Sequence, residues 1–235
     1  GYLDSSVTAM LDQLDNYKFQ ADSEWLKKIQ AETKEKTAKA AETLKLHADK
    51  RPMDHWTALG AIKPVLEANP DLIIVNEGAN TLDDTRNAID MRKPRRRIDC
   101  ATWAIMGVGT GSCVGAAATG KKVVYICGDS AFGFSGMDFE TICRYKLPVT
   151  VVLFNNGGIY NGIGENMAKN GDPAPTTLDI NAHYEKIGEA FGAMSYYTTT
   201  PDELAKAVKE AIASGKPAFI QAQLAADSGK ESGHI

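Results

Sequence analysis

The residues best suited to chemistry lie in two short runs, Gly128-Asp129-Ser130 and Asn155-Asn156-Gly157-Gly158, with 26 residues between Asp129 and Asn156. Asp129 offers a carboxylate, Asn156 an amide oxygen and the glycine turn a backbone carbonyl. Magnesium, a hard cation with near-octahedral demands, prefers such an all-oxygen set. The small residues Ser130 and Ala131 let backbone N–H groups approach phosphate oxygens. A diphosphate would supply the remaining negative ligands. Either run alone reads equally well as a helix cap or a plain turn, so the signal rests on the pair.

The elements around these runs must bring them together. Val123–Cys127 is an apolar strand that ends at Gly128, and Val149–Phe154 is a second that ends at Asn155. A helix expected over 136–145 lies between them. Strand, loop, helix, strand and loop in this order put Asp129 and Asn156 at the carboxyl ends of neighbouring parallel strands, where open α/β sheets bind ligands. The rest of the chain after residue 54 fits the same α/β, doubly wound, mostly parallel sheet. Helices are expected over 54–68, 105–118 and around Tyr184–Phe191, strands over Leu72–Val75 and Phe219–Leu224, and a loop over 156–178. Thr200-Pro201-Asp202-Glu203 is a capping box opening a last helix, with Gly215 at its stop.

Before residue 54 the pattern differs. Residues 1–20 read as an amphipathic helix with Val7, Met10, Leu11 and Leu14 on one face, taken as the tail of a central domain. Residues 21–53 are rich in Ala, Glu, Lys and Thr and read as a solvated helical inter-domain linker, docked through Trp25, Leu26, Ile29 and later Leu44. Residues 54–235 form the diphosphate- and magnesium-binding domain.

The formal net charge of −4 and pI near 5.6 argue against nucleic-acid partners or a polybasic membrane surface. No apolar run is long enough to span a bilayer, and the start has no signal-peptide pattern. The four cysteines stand 13 to 16 residues apart without metal-binding spacing, and read as small buried hydrophobes suited to a reducing, cytoplasmic location. Two glycine-rich segments are decoys. Gly115 to Lys121 approaches a P-loop but has Lys122 where Ser or Thr should stand, and Gly107 to Gly111 echoes a dinucleotide fingerprint without a preceding strand.

The pair Gly128-Asp129-Ser130 and Asn155-Asn156 resembles the thiamine-diphosphate fingerprint, departing from it at Ser130, which stands where a second glycine is usual. Wider runs narrow the resemblance: Asn76 to Asn80, Lys93 to Arg97, Thr102 to Gly107, Gly128 to Gly136, Asn155 to Tyr160 and Glu231 to Ile235. Together these are similar to the oxalyl-CoA decarboxylases, with the related 2-hydroxyacyl-CoA lyases sharing several. The resemblance covers essentially the whole chain and is strongest from residue 70 onward.

The resemblance implies thiamine diphosphate and Mg2+ as cofactors, with Asp129, Asn156 and the Gly158 carbonyl as metal ligands. Gly128, Ser130, Ala131 and Ile159 would also line the cofactor. Met106 matches the apolar residue that props the cofactor into its bent shape, with the Ala104 carbonyl and the Met106 N–H on the pyrimidine edge. Tyr160 and Ser232 match pocket residues, and Arg86 and Met91 fall in the segment that contacts coenzyme A. Met106 as core filler, Tyr160 as a surface phenol and Arg95–Arg97 as a solvated run stay open as readings of the residues themselves.

The implied reaction is decarboxylation of oxalyl-CoA, an acyl-CoA substrate, to formyl-CoA and carbon dioxide. A 2-hydroxyacyl-CoA lyase reaction is the alternative. A catalytically silent thiamine-fold regulatory subunit would predict broken metal ligands, yet Asp129 and Asn156 are intact. The family's activating glutamate belongs to a separate N-terminal pyrimidine-binding half, and neither Glu77 nor Glu165 stands in its context. The expected partners are therefore that N-terminal half and a second subunit, in a homodimer or homotetramer.

Overall fold

The computed structural model describes residues 2–18, 23–91, 93–100, 103, 105–160, 162–163, 171 and 173–229. The chain divides into two compact units, residues 1–38 and 39–235. In the first, α1 (Leu3–Leu14) has no buried residue, and α2 (Ser23–His47) begins there. Trp25 and Ile29, expected to dock the linker helix, are exposed, and Leu26 is half-buried. In the second unit the end of α2 contributes Ala40 and Leu44 to a core.

That unit is built on six parallel strands: β1 (Ile73–Glu77), β2 (Arg97–Ile98), β3 (Val123–Gly128), β4 (Val149–Asn155), β5 (Met194–Thr198) and β6 (Ala218–Gln223), ordered β2-β1-β3-β4-β6-β5. Side chains alternate faces along each strand, so the near-continuous apolar runs feed two cores. Ile74, Val124, Ile126, Val152, Phe154 and Ile220 face α3 (His55–Glu67) and α9 (Pro201–Ser214). Val75, Tyr125, Cys127, Val151, Leu153 and Phe219 face α5 (Gly109–Ala117) and α7 (Phe139–Arg144). Burial on both faces is what a parallel sheet requires, and it explains why these strands read as unbroken hydrophobic stretches.

Several boundaries differ from the sequence reading. The helix expected from Ile105 starts only at Gly109, because the backbone at 107–109 is held by a buried carboxylate described below. The helix expected over 136–145 is a 3-10 turn, Gly136–Asp138, followed by α7. It is preceded by α6 (Asp129–Gly133), a turn that begins on the metal-ligand candidate itself. Like α6, the elements α4 (Asn80–Ala88), β2 and β5 were not anticipated. α9 carries the expected capping box, Thr200 accepting from Glu203 N at 3.3 Å and Glu203 accepting from Thr200 N at 3.2 Å, and stops at Gly215 in the left-handed region. Cys113 and Cys127 are buried, while Cys100 and Cys143 are half-buried; all four are free thiols. Among the described residues no helix is long and apolar enough to cross a membrane.

Candidate diphosphate and magnesium site

The strand order reverses direction between β1 and β3: the chain leaves β1 toward β2 and leaves β3 toward β4. Such a switch point opens a crevice at the carboxyl ends of the strands. Here Gly78 follows β1 and Gly128 ends β3. A Cβ on Gly78 would make only ordinary contact, 3.6 Å from the Gly128 N, so space alone does not require glycine there. Its φ of +114, a conformation other residues rarely adopt, is what calls for glycine. The crevice is lined by Gly78–Thr81, by Gly128–Ser130, by Asn156, Gly158 and Tyr160, and by His55.

Asp129, Asn156 and Gly158 therefore meet, as the spacing predicted. Asp129 is buried and its carboxylate binds backbone: Oδ1 accepts from Ser130 N at 2.6 Å, and Oδ2 from Gly157 N at 2.8 Å and Gly158 N at 3.1 Å. Asp129 thus ties the end of β3 to the turn after β4. Burial pushes its carboxyl up to about 6, against the backbone N–H groups, which lower it. Among the described residues no cation pairs with this carboxylate, and a divalent cation would supply the positive charge.

The two asparagines divide the labour. Asn155 is scaffold: its Nδ2 reaches the carbonyls of Ile180 at 3.1 Å and Ala182 at 3.4 Å and the Gln223 side chain at 3.2 Å, and its Oδ1 accepts from Gly157 N at 3.1 Å. Asn156 Nδ2 donates to the carbonyls of Tyr160 at 3.0 Å and Ser228 at 2.8 Å. Both of its N–H bonds are spent, so its oxygen is the atom left for a cation. No group of three or more His, Cys, Asp and Glu side chains among the described residues could hold a metal. The oxygen set of Asp129, Asn156 and the glycine turn suits magnesium better than a transition metal.

Asn80 and Thr81, at the start of α4, line the same crevice, at the helix end that favours an anion. His55 closes the back wall. Its Nδ1 lies 2.7 Å from Ser228 Oγ and its Nε2 3.2 Å from Thr81 Oγ1. Burial lowers its imidazole to about 4, with nearby Asp54 pulling the other way, so the ring is neutral. Ser228 belongs to a segment held also by Asn80 Nδ2 on the Gly229 carbonyl at 3.2 Å and by Ile163 N on the Ala226 carbonyl at 2.8 Å. The residue reading missed His55, Thr81 and Ser228. His55 is a lone histidine, which by itself signals nothing.

Tyr160 sits on the rim with its side chain exposed and φ +56, unusual for a non-glycine residue. Met106 is half-buried in the irregular stretch before α5, not packed into either core. Ser130 and Ile159 are half-buried beside the ligands, and Ala131 is buried. Ala104 and Ser232 lie outside the described residues. Arg86 and Met91 are not in the crevice. Arg86, on the last turn of α4, is gripped by Asp99 at 2.6 and 3.0 Å. Met91 lines a separate cavity of about 400 Å³ near the start of β1, with Lys93 and Arg96. Arg97 is no solvated charge: its guanidinium donates to the Ile89 carbonyl at 2.6 Å, closing the end of α4.

The fold and the crevice define a doubly wound domain whose switch point holds a metal-ready oxygen set, a class built to bind diphosphate-bearing cofactors. The chain belongs to the thiamine pyrophosphate enzyme family: residues 78–222 match its C-terminal TPP binding domain. It is 48% identical over 236 aligned residues to the oxalyl-CoA decarboxylase of Escherichia coli K12, covering 100% of this chain and 42% of that protein. It is 39% identical to a 2-hydroxyacyl-CoA lyase of Arabidopsis thaliana, over 90% of this chain and 38% of that one. The chain thus spans about two fifths of the length of these curated relatives.

Among solved structures, the benzoylformate decarboxylase of Polynucleobacter necessarius aligns with a TM-score of 0.60 at 23% identity, over 77% of this chain and 34% of that one. The thiamine diphosphate-dependent 4-hydroxybenzoylformate decarboxylase of Rhodococcus jostii RHA1 aligns at 0.62 and 21%, over 75% and 33%. At such identity the likeness is one of fold.

Proposed function

We propose that this chain holds the diphosphate and magnesium of thiamine diphosphate in an oxalyl-CoA decarboxylase, which releases carbon dioxide and formyl-CoA. The observation that carries the reading is the crevice at the β1–β3 switch point, where Asp129 and the Asn156 oxygen converge beside Gly158. Asp129, Asn156 and the Gly158 carbonyl hold the metal; Gly128, Ser130, Ala131 and Ile159 line the diphosphate. Met106 props the cofactor, and Ala104 and Met106 meet the pyrimidine edge through their backbone. When bound, thiamine diphosphate supplies an electron sink for loss of the carboxylate.

The chain's own groups orient and exclude water. Tyr160, on the crevice rim, and Ser232 position the substrate carbonyl or a water. Arg86 and Met91 contact coenzyme A. Residues 54–235 are the cofactor domain, 21–53 the connection and 1–20 the tail of a neighbouring domain. Catalysis draws on an N-terminal pyrimidine-binding half and a second subunit of a cytoplasmic homodimer or homotetramer.

Calorimetry tests the binding reading: thiamine diphosphate should bind with magnesium and lose that dependence in Asp129→Ala and Asn156→Ala. Ser232→Ala should slow turnover more than it weakens cofactor binding. The identity to 2-hydroxyacyl-CoA lyases keeps a second reading, cleavage to formyl-CoA and an aldehyde or ketone. Formyl-CoA produced from 2-hydroxyacyl-CoAs and not from oxalyl-CoA would select it.

A further inference from the structure

Glu77 is the last residue of β1 and 1% exposed, yet among the described residues no cation pairs with it. What surrounds it is a set of donors. Its Oε1 accepts from Gly107 N and from Val108 N at 2.9 Å, and its Oε2 from Gly109 N at 3.1 Å and from the Tyr125 hydroxyl. Three successive backbone N–H groups thus wrap one carboxylate at the N-terminus of α5, the end that favours negative charge. The fit leaves no slack. A Cβ on Gly109 would collide with Glu77 Oε2 and the Tyr125 ring, and Gly107 is held at φ +95 with Phe134 against it. The glycine-rich run that resembles a dinucleotide fingerprint is therefore an anion site already filled by the protein's own side chain.

Gly107 directly follows Met106, and the turn 107–109 is the piece of backbone that fixes where Met106 stands. Asp129 and Asn156 are placed instead by β3 and β4. We infer that Glu77, with Tyr125, is a positioning residue for the thiamine half of the cofactor: it pins the turn that presents Met106, independently of the metal and diphosphate ligands. This rests on the thiamine diphosphate reading above. Glu77 is not a proton donor or acceptor in the reaction, because its oxygens already take four donors and are shut off from the crevice.

Glu77→Gln keeps the shape but turns one acceptor oxygen into an NH2 group that faces N–H donors. In the intact protein carrying this chain, thiamine diphosphate affinity at saturating magnesium should fall about tenfold or more, since charge-assisted bonds are lost. Magnesium with inorganic diphosphate, titrated in parallel, should bind within about twofold of wild type. Exchange of the thiazolium C2 proton for deuterium, in cofactor held at saturation, should slow about tenfold. Tyr125→Phe, which removes one donor and keeps the ring, should give smaller shifts of the same pattern and carries the test if Glu77→Gln does not fold. Unchanged cofactor affinity and exchange, or equal losses of both ligands, would overturn the assignment. A wild-type protein binding magnesium diphosphate but not thiamine diphosphate would instead overturn the cofactor reading, and the assignment with it.

Discussion

Asn155 and Asn156 are neighbours with separable duties, and substitution should separate them. Asn155 joins the ends of β4 and β6 to the 180–182 loop through its amide. Asn155→Ala strands several buried partners and should cost about 1–3 kcal/mol of stability in urea unfolding. Asn156→Ala should leave the unfolding midpoint closer to wild type while removing the magnesium response. An Asn156→Ala variant that unfolds earlier than Asn155→Ala would reverse these roles.

His55 gives a second prediction at this scale. Its folded pKa, about 4, is below its unfolded value of 6.5, so the unfolded chain takes up the proton first. The stability that neutral His55 provides is full above pH 6.5 and drains away as pH falls toward 4. Asp129, raised to about 6 when no cation is bound, contributes with the opposite sign over part of the range. The useful quantity is therefore the stability gap between wild type and His55→Gln. Between pH 7.5 and 4.5 that gap should shrink by about 2–3 kcal/mol. A gap that stays constant would mean His55 is not held neutral. The juxtaposition of Asp129 and Asn156 was legible in the sequence because strand order alone brings them together. His55 was not, because its partners Ser228 and Thr81 are 173 and 26 residues away.

At the scale of elements, local signals were readable wherever the chain satisfies its own backbone. α9 announces itself through Thr200, Pro201, Glu203 and Gly215, and Thr200→Ala should cost about 1 kcal/mol in thermal unfolding. α4 left no such mark. Its Asn-Thr-Leu-Asp-Asp-Thr-Arg-Asn run has almost no apolar stripe, and it buries polar Thr81, Asp84 and Thr85. β5 is an edge strand with mostly half-exposed residues, so neither alternation nor an apolar run marks it. α5 begins late because a tertiary contact, Glu77 on the 107–109 turn, overrides the helical pattern. The loop after β4 depends on glycine in the same way. Gly162 has φ +63, and a Cβ there would strike the carbonyls of Ala226 and Asn156. Gly162→Ala should lower stability by about 1–3 kcal/mol and weaken magnesium binding together, since the displaced carbonyl belongs to the metal-ligand candidate. Loss of one without the other would detach the loop from the site.

At the scale of the whole chain, stability is concentrated after residue 38. Both cores are built from residues of the second unit, the apolar side chains on either face of the sheet, the first of them Ala40. In the first unit the described residues are exposed apart from half-buried Leu26. A helix stretch with so little packing opens locally at small cost, because most helical stability in proteins comes from a buried face. Lys27, Lys28, Lys34 and Lys36 all lie in that stretch of α2. Brief trypsin treatment should therefore cut there first and leave a resistant fragment that begins close to residue 37. The fragment should unfold cooperatively, with a midpoint within a few degrees of the uncut chain, because the sheet and its two cores are intact. Magnesium should raise the midpoint of the fragment and of the uncut chain alike, since Asp129 and Asn156 lie within the fragment. Digestion that degrades the chain without a resistant intermediate would show that the first 38 residues help to hold the sheet together.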